Sequence, residues 1–145
     1  MKIAIGNDHT GVELKMKIKE HLRKKGYEVI NVGTDTLDSI DYPDIAAKVG
    51  EKVVSGEAKY GILICGTGIG ISISANKIKG IRAALAHGEF MARLSRLHND
   101  ANVIALGARV IGDELAISCV ETFLNTGFEG GRHARRVGKI EKSHL

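Results

Sequence analysis

The segment Cys65-Gly66-Thr67-Gly68-Ile69-Gly70 sets a thiol beside three alternate glycines. Glycines at this spacing let backbone N–H groups converge, and ahead of a helix they form an anion cradle. A phosphate-binding P-loop would need G-x-x-x-x-G-K-[ST], and no lysine follows here. A dinucleotide fingerprint would need glycine at position 71, which is Ile71, and an acid closing the next strand, where Leu85-Ala86-His87 has none. What remains is a smaller anion site with a thiol at its lip. The thiolate is the reactive form of cysteine, and a helix N-terminus favours it, so Cys65 could act as base or nucleophile. The competing reading is a tight strand–helix turn beside a structural cysteine.

Other groups could complete such a site. Asp8-His9 pairs a carboxylate with an imidazole, suited to orienting hydroxyls and binding anions, although Asp8 could simply cap a helix. His98-Asn99 follows a helical pattern, where the helix dipole and a C-cap would explain both residues without chemistry. His98 could also orient Cys65, so a cysteine hydrolase is not excluded. Arg109 stands just past an expected strand. Arg132 and Arg136 are four apart and share a helix face, which suits forked recognition of phosphate or a solvated basic surface. Cys119 has Leu115 and Phe123 at helical spacing and reads as packing. No two of the histidines 9, 21, 87, 98, 133 and 144 stand four apart, and the aspartates at 35, 38, 41 and 44 lack EF-hand spacing. No metal is expected.

These groups need elements to hold them. The hydrophobic period switches repeatedly between 2 and 3.6. Strands are expected at about 2–7, 27–33, 60–66, 81–86 and 102–107. Helices are expected between them: from Asp8 to Gly26, from Pro43, through ISISANKIKG, through EFMARLSRLH and through ELAISCVETFLNTG. The basic tail, about 127–145, reads as a last helix. Alternating strands and helices without repeats or linkers predict one α/β domain over residues 1–145. It is a doubly wound, Rossmann-like fold of about five parallel strands with helices on both faces. Ligands bind such sheets at the carboxyl ends of the strands, so the chemistry is expected just after Gly6, Gly33, Cys65, Ala86 and Gly107.

Composition narrows the partners. The chain has 145 residues and a net charge of +4, with 18 glycines and one proline. Much of the excess lies in the tail, where Arg132, Arg135, Arg136, Lys139 and Lys142 face only Glu129 and Glu141. Such a patch wants an anion. Aromatic residues are 4% with no tryptophan, which argues against a nucleic-acid binder that stacks bases. Two cysteines make no disulfide framework. The start MKIAIGN has no secretory pattern and no apolar run is long enough to span a membrane, so a cytoplasmic, membrane-free protein is expected.

Several segments together resemble a known family: IGNDHTGVELK, DYPDIA, GILICGTGIGISISANK, IRAALA, LHNDANVIALGARVIG and GGRHARRVGKI. They cover nearly the whole chain and resemble ribose-5-phosphate isomerase B, in the group that includes the galactose-6-phosphate isomerase subunits. GxGxG alone would say little; the long central segment is specific. NDHT stands where SDHA is expected, and AHGEF replaces a cysteine-containing stretch, altering the pocket wall near Ala86 and His87.

The resemblance implies an aldose–ketose isomerase without metal or cofactor, interconverting ribose 5-phosphate and ribulose 5-phosphate in the pentose phosphate pathway. It implies that Cys65 is the base moving a proton between C2 and C1, and that His98 opens the furanose ring with help from Asp8. Gly66, Thr67, Gly68, Ile69 and Gly70 would form the anion hole. His9, Arg132 and Arg136 would hold phosphate, and Asn99 and Arg109 would contact substrate. It further implies a homodimer or homotetramer with sites at the subunit interface. Allose 6-phosphate or galactose 6-phosphate is the competing substrate. A sugar-phosphate sensor without turnover, or a polyanion binder using the tail, are the readings from other classes.

Overall fold

In the central strands both sets of alternate side chains are apolar, so these strands must be covered on both faces. Strand β3, Tyr60–Cys65, is buried at every residue. Its Ile62 and Ile64 enter one core and its Leu63 and Cys65 the other. The structure of the chain, a computed structural model, describes residues 1–142. Residues 143–145 of the expected basic tail lie outside the described residues.

The remaining strands are β1 (Lys2–Asn7), β2 (Glu28–Asn31), β4 (Ala83–Leu85) and β5 (Val103–Gly107). All pair in parallel, in the order β2-β1-β3-β5-β4. The helices are α1 (Val12–Lys24), α2 (Tyr42–Val54), α3 (Ile69–Asn76), α4 (Glu89–Leu97), α5 (Asp113–Leu124) and α6 (Arg132–Ile140). One core packs Ile3, Ile5, Ile62, Ile64 and Leu106 against apolar residues of α1 and α5. The other packs Ala4, Leu63, Val103 and Ala105 against Ile45 and Val49 of α2 and Ile71 and Ala75 of α3. The expected doubly wound α/β domain is what the chain forms. Among the described residues, no helix is long and apolar enough to cross a membrane.

The chain leaves β1 toward one side of the sheet and returns to the other side for β3. The ends of β1 and β3 therefore flank a switch point, where this class of sheet opens a crevice. The register places Asn7 beside Ile64, and Cys65 beside Gly107. Residues 7–9, 65–68 and 107–109 thus meet at one end.

Boundaries differ from expectation for local reasons. The helix expected from Asp8 begins with a tight 3-10 turn, His9–Gly11. Asp8 Oδ1 accepts from the Thr10 N–H at 2.9 Å and from the Thr10 hydroxyl at 2.5 Å, which closes that turn. The helix expected through Gly80 stops at Asn76. The Asn76 side-chain amide turns to the outer edge of β4, donating to Ala83 O at 2.9 Å and accepting from Ala83 N at 2.7 Å. A side chain thus stands where a further strand would pair.

Candidate functional site

Cys65 ends β3 with its side chain almost wholly buried. The chain then turns into α3 through Gly68, whose φ of +79° is the left-handed conformation glycine adopts freely. A Cβ there would lie 2.6 Å from Leu85 Cδ1 and 2.9 Å from Leu106 C. This turn aims the Gly68 N–H at Cys65 Sγ, 3.2 Å away. Within the same loop, the Ile69 N–H bonds Thr67 Oγ1 at 3.2 Å. Two of the five amides expected to form the anion hole are therefore engaged by the loop's own side chains.

Three further groups surround this turn. The backbone N–H of Arg109 donates to Gly66 O at 3.0 Å, and a Cβ at Gly66 would stand 3.5 Å from Arg109 Cδ, so the arginine arm lies over this glycine. Tyr42, at the start of α2, presses its ring against Gly70, where a Cβ would lie 2.6 Å from Tyr42 Cζ. His87 Nε2 accepts from the Gly107 N–H at 2.8 Å, and burial pushes the imidazole below its usual range. Tyr42 and His87 were not among the expected site residues. An aromatic just before Pro43 and a histidine one residue past a strand's expected end were the signals.

Asp8 and His9 extend the same end. Asp8 is buried, and its cap of the 3-10 turn fulfils the plainer expectation for it. His9 Nδ1 accepts from the Ile40 N–H at 3.2 Å, which leaves Nε2 as the ring's donor. The loop carrying Ile40 is tied down from below. Lys15 is fully buried, with its ammonium bonded to Asp35 and to Thr34 O at 2.6 Å. Asn7 Nδ2 donates to the same Thr34 O at 3.1 Å and to Asp8 O at 2.8 Å.

His98, Asn99, Arg132 and Arg136 lie elsewhere. Helix α4 runs back down the sheet, so His98 and Asn99 sit at the amino ends of the strands, where Arg82 Nε donates to Asn99 O at 3.2 Å and Asp100 O at 3.0 Å. β5 rises about 13 Å from Val103 to Gly107 at ~3.3 Å per residue, and His98 is at its lower end. Cys65, Asp8, His9 and Arg109 therefore stand just past the strand ends, where ligands were expected, and His98, Asn99, Arg132 and Arg136 do not. Within one chain, Cys65 and His98 stand apart.

The second group has its own order. The rings of His98 and His133 stack at 4.1 Å with an angle of 11°. The Glu129 carboxylate straddles them, 3.9 Å from His98 Nε2 and 3.8 Å from His133 Nε2. Desolvation first, then His98, Arg136 and Arg132, hold His133 below its usual range, against the opposing pull of Glu129. Arg132 and Arg136 are exposed on α6. Beside them a groove of about 550 Å³ runs along β4, lined by Leu85, Met91, Leu94, His98 and Ile140. One atom each from His98, Glu129 and His133 lie within 4.8 Å of one another, the only such set of three metal-ligating groups among the described residues.

The arrangement can support a thiolate, bind an anion and exchange protons through imidazole. Comparison with known proteins identifies the family. A family model described as Ribose/Galactose Isomerase matches residues 3–140. Ribose-5-phosphate isomerase B of Escherichia coli (strain K12) is 52% identical, over 96% of this chain and 93% of that protein. The structure of Clostridium thermocellum ribose-5-phosphate isomerase B superposes with a TM-score of 0.96 at 59% identity, covering 97% of this chain and 95% of that one. The Thermotoga maritima structure of the same name gives 0.96 at 54% identity, covering 98% of each. With its thiol turn, its basic last helix and these likenesses along almost its full length, the chain belongs to the ribose/galactose isomerase family.

Proposed function

We propose that the chain interconverts ribose 5-phosphate and ribulose 5-phosphate through a cis-enediolate, with Cys65 as the base. The observation that carries this reading is the Gly68 N–H on Cys65 Sγ at the N-terminus of α3. The likeness to proteins named ribose-5-phosphate isomerase B supports the choice of a pentose.

In the open-chain aldose, the Cys65 thiolate removes the proton on C2. The C–H electrons form the C1–C2 double bond, and the carbonyl pair moves onto O1. The loop over residues 66–70 stabilises that charge; loss of one fixed donor in such a hole typically costs about 10²–10³ in rate. The O2 proton passes to O1, and the thiol returns its proton to C1, leaving a ketone at C2. One base serves both carbons because both lie on one face of a cis-enediol. No metal or cofactor enters these steps.

A closed furanose has no carbonyl to acidify C2. His98 is assigned the ring-opening proton transfer, with Asp8 assisting. His9, Arg132 and Arg136 hold phosphate, and Asn99 and Arg109 contact sugar oxygens. Because Cys65 and His98 lie at different ends of one sheet, a second copy of the chain supplies the His98, Asn99, Arg132 and Arg136 half. The protein works as a homodimer, alone or paired into a tetramer, in the cytoplasm.

Proton NMR of ribose 5-phosphate in deuterium oxide tests this, with and without EDTA. Ribulose 5-phosphate with deuterium wash-in, unaffected by EDTA, is expected. Turnover of allose 6-phosphate or galactose 6-phosphate instead would overturn the pentose assignment. Binding without turnover of all three would overturn the enzyme.

A further inference from the structure

The cluster His98–Glu129–His133 brings two imidazole nitrogens and a carboxylate oxygen within 4.8 Å of one another. We propose that it is a binding site for a late first-row divalent cation, with Zn²⁺ as the fitting probe, and that occupation reversibly arrests the enzyme. The arrest rests on the proposed role of His98; the binding does not.

The donors match the cation. Two neutral imidazoles and one carboxylate, with a further position open, are a common zinc set, whereas Mg²⁺ and Ca²⁺ take oxygen. Glu129 turns one oxygen to each ring: Oε2 to His98 at 3.9 Å and Oε1 to His133 at 3.8 Å. Zinc bonds of ~2.0–2.2 Å in a tetrahedron put donors ~3.3 Å apart, so each carboxylate–imidazole pair must close by roughly half an ångström. The stacked rings must also tilt toward one another. His98, at the end of α4, and Glu129, just before α6, are open enough to make these moves, while His133, whose side chain is only 13% exposed, stays nearly in place as the fixed ligand.

The supporting frame is already built. Glu129 and His133 are four apart across the start of α6. The Glu129 N–H donates to Leu97 O at 3.0 Å, which pins this segment to the end of α4 beside His98. Arg132 and Arg136 add positive charge nearby, which weakens the site and sets it apart from a permanent structural zinc centre. That balance suits reversible capture. With a cation on its ring nitrogen, His98 can no longer pass a proton to the sugar ring oxygen.

The test is equilibrium dialysis of untagged protein against Zn²⁺, with Co²⁺ absorption as a second readout. Wild-type protein is expected to bind with one equivalent per chain and to show a visible Co²⁺ band. Glu129→Gln, at an exposed position where folding is spared, should weaken binding by about 100-fold or more, beyond what loss of a mere supporting residue brings. His133→Asn should do the same, and Cys65→Ser should leave binding unchanged. Isomerase activity should fall with Zn²⁺ occupancy and return with EDTA. Binding that survives Glu129→Gln and His133→Asn but vanishes in Cys65→Ser would place the metal on the thiol and overturn the proposal. So would an absence of binding below millimolar Zn²⁺. A protein that binds Zn²⁺ as described but isomerises no sugar phosphate would keep the site and overturn the enzymatic reading alone.

Discussion

Gly68 presents its backbone N–H to Cys65 Sγ at 3.2 Å, from a left-handed turn wedged against Leu85 and Leu106. The geometry of the sulfur therefore depends on a residue with no side chain. Cys65→Ala should reduce kcat by about 10²–10⁴-fold, the range of a positioned general base, and leave sugar-phosphate affinity nearly intact. Isothermal titration beside steady-state kinetics separates the two; retained turnover would remove Cys65 as base.

Gly68→Ala tests the turn itself. An alanine at φ +79° costs about 1–3 kcal/mol in backbone strain, before its contact with Leu85 and Leu106. We expect a lower Tm, and a kcat reduced by on the order of 10²-fold, since small misplacements of reacting groups cost that much. A variant with wild-type kcat would show that the turn does not set the sulfur.

The separation of Cys65 from Arg136 gives a complementation experiment. Arg136→Ala should raise KM for ribose 5-phosphate roughly 10–100-fold, as loss of a charge-assisted hydrogen bond does. Mixed with Cys65→Ala and allowed to exchange subunits, it should restore activity. Each hybrid of a two-fold dimer holds one intact site, so random exchange gives roughly a quarter of wild-type activity. No recovery after verified exchange would place both halves in one chain.

Asp35 makes the fold sensitive to acid. Its bonds to Lys15 and Asn31 hold the carboxyl below its ordinary value of 3.8. A carboxylate with a depressed folded pKa contributes stability above the unfolded pKa and loses it as pH falls through the folded one. Asp35→Asn should therefore flatten the acid limb of a Tm-against-pH curve below about pH 4 and lower Tm at neutral pH. An unchanged acid limb would refute the role of this pair. The same variant loosens the loop whose Ile40 N–H holds His9.

His87 acts in the opposite range. Burial holds it below its ordinary value of 6.5, so the unfolded chain takes up the proton first as pH falls. The stability it contributes is full above about 6.5 and is lost toward its lower folded value. A proton on Nε2 also removes the acceptor for the Gly107 N–H. His87→Gln should blunt the loss of Tm between about pH 6.5 and 5, measured by calorimetry. A wild-type profile in the variant would assign that loss to another group, His133 first.

The parallel sheet was legible because β3 is apolar without a break and the strands alternate with amphipathic helices. The thiol turn was legible because Cys65 and its glycines are contiguous. What escaped depends on distant partners. Lys15 lies among the lysines of α1, and nothing local tells it from its exposed neighbours; its burial comes from Asp35 and Thr34 across the sheet edge. Histidine spacing alone reveals no ligand pair, because the pair four apart is Glu129 with His133, and the third member comes from another helix. The position of His98 at the far end of the sheet follows from the direction of α4, and the residue types around it do not encode that.

Asn76 gives the outer edge of β4 a consequence beyond its own fold. An open strand edge is a template on which any extended chain can crystallise, copy after copy, into a fibre. Here the amide of one asparagine already fills both main-chain hydrogen-bonding positions of Ala83. The first residue of β4 is thereby closed to main-chain pairing on its outer side. An extended chain laid along this edge therefore meets Ala83 already paired and cannot prolong the sheet through it.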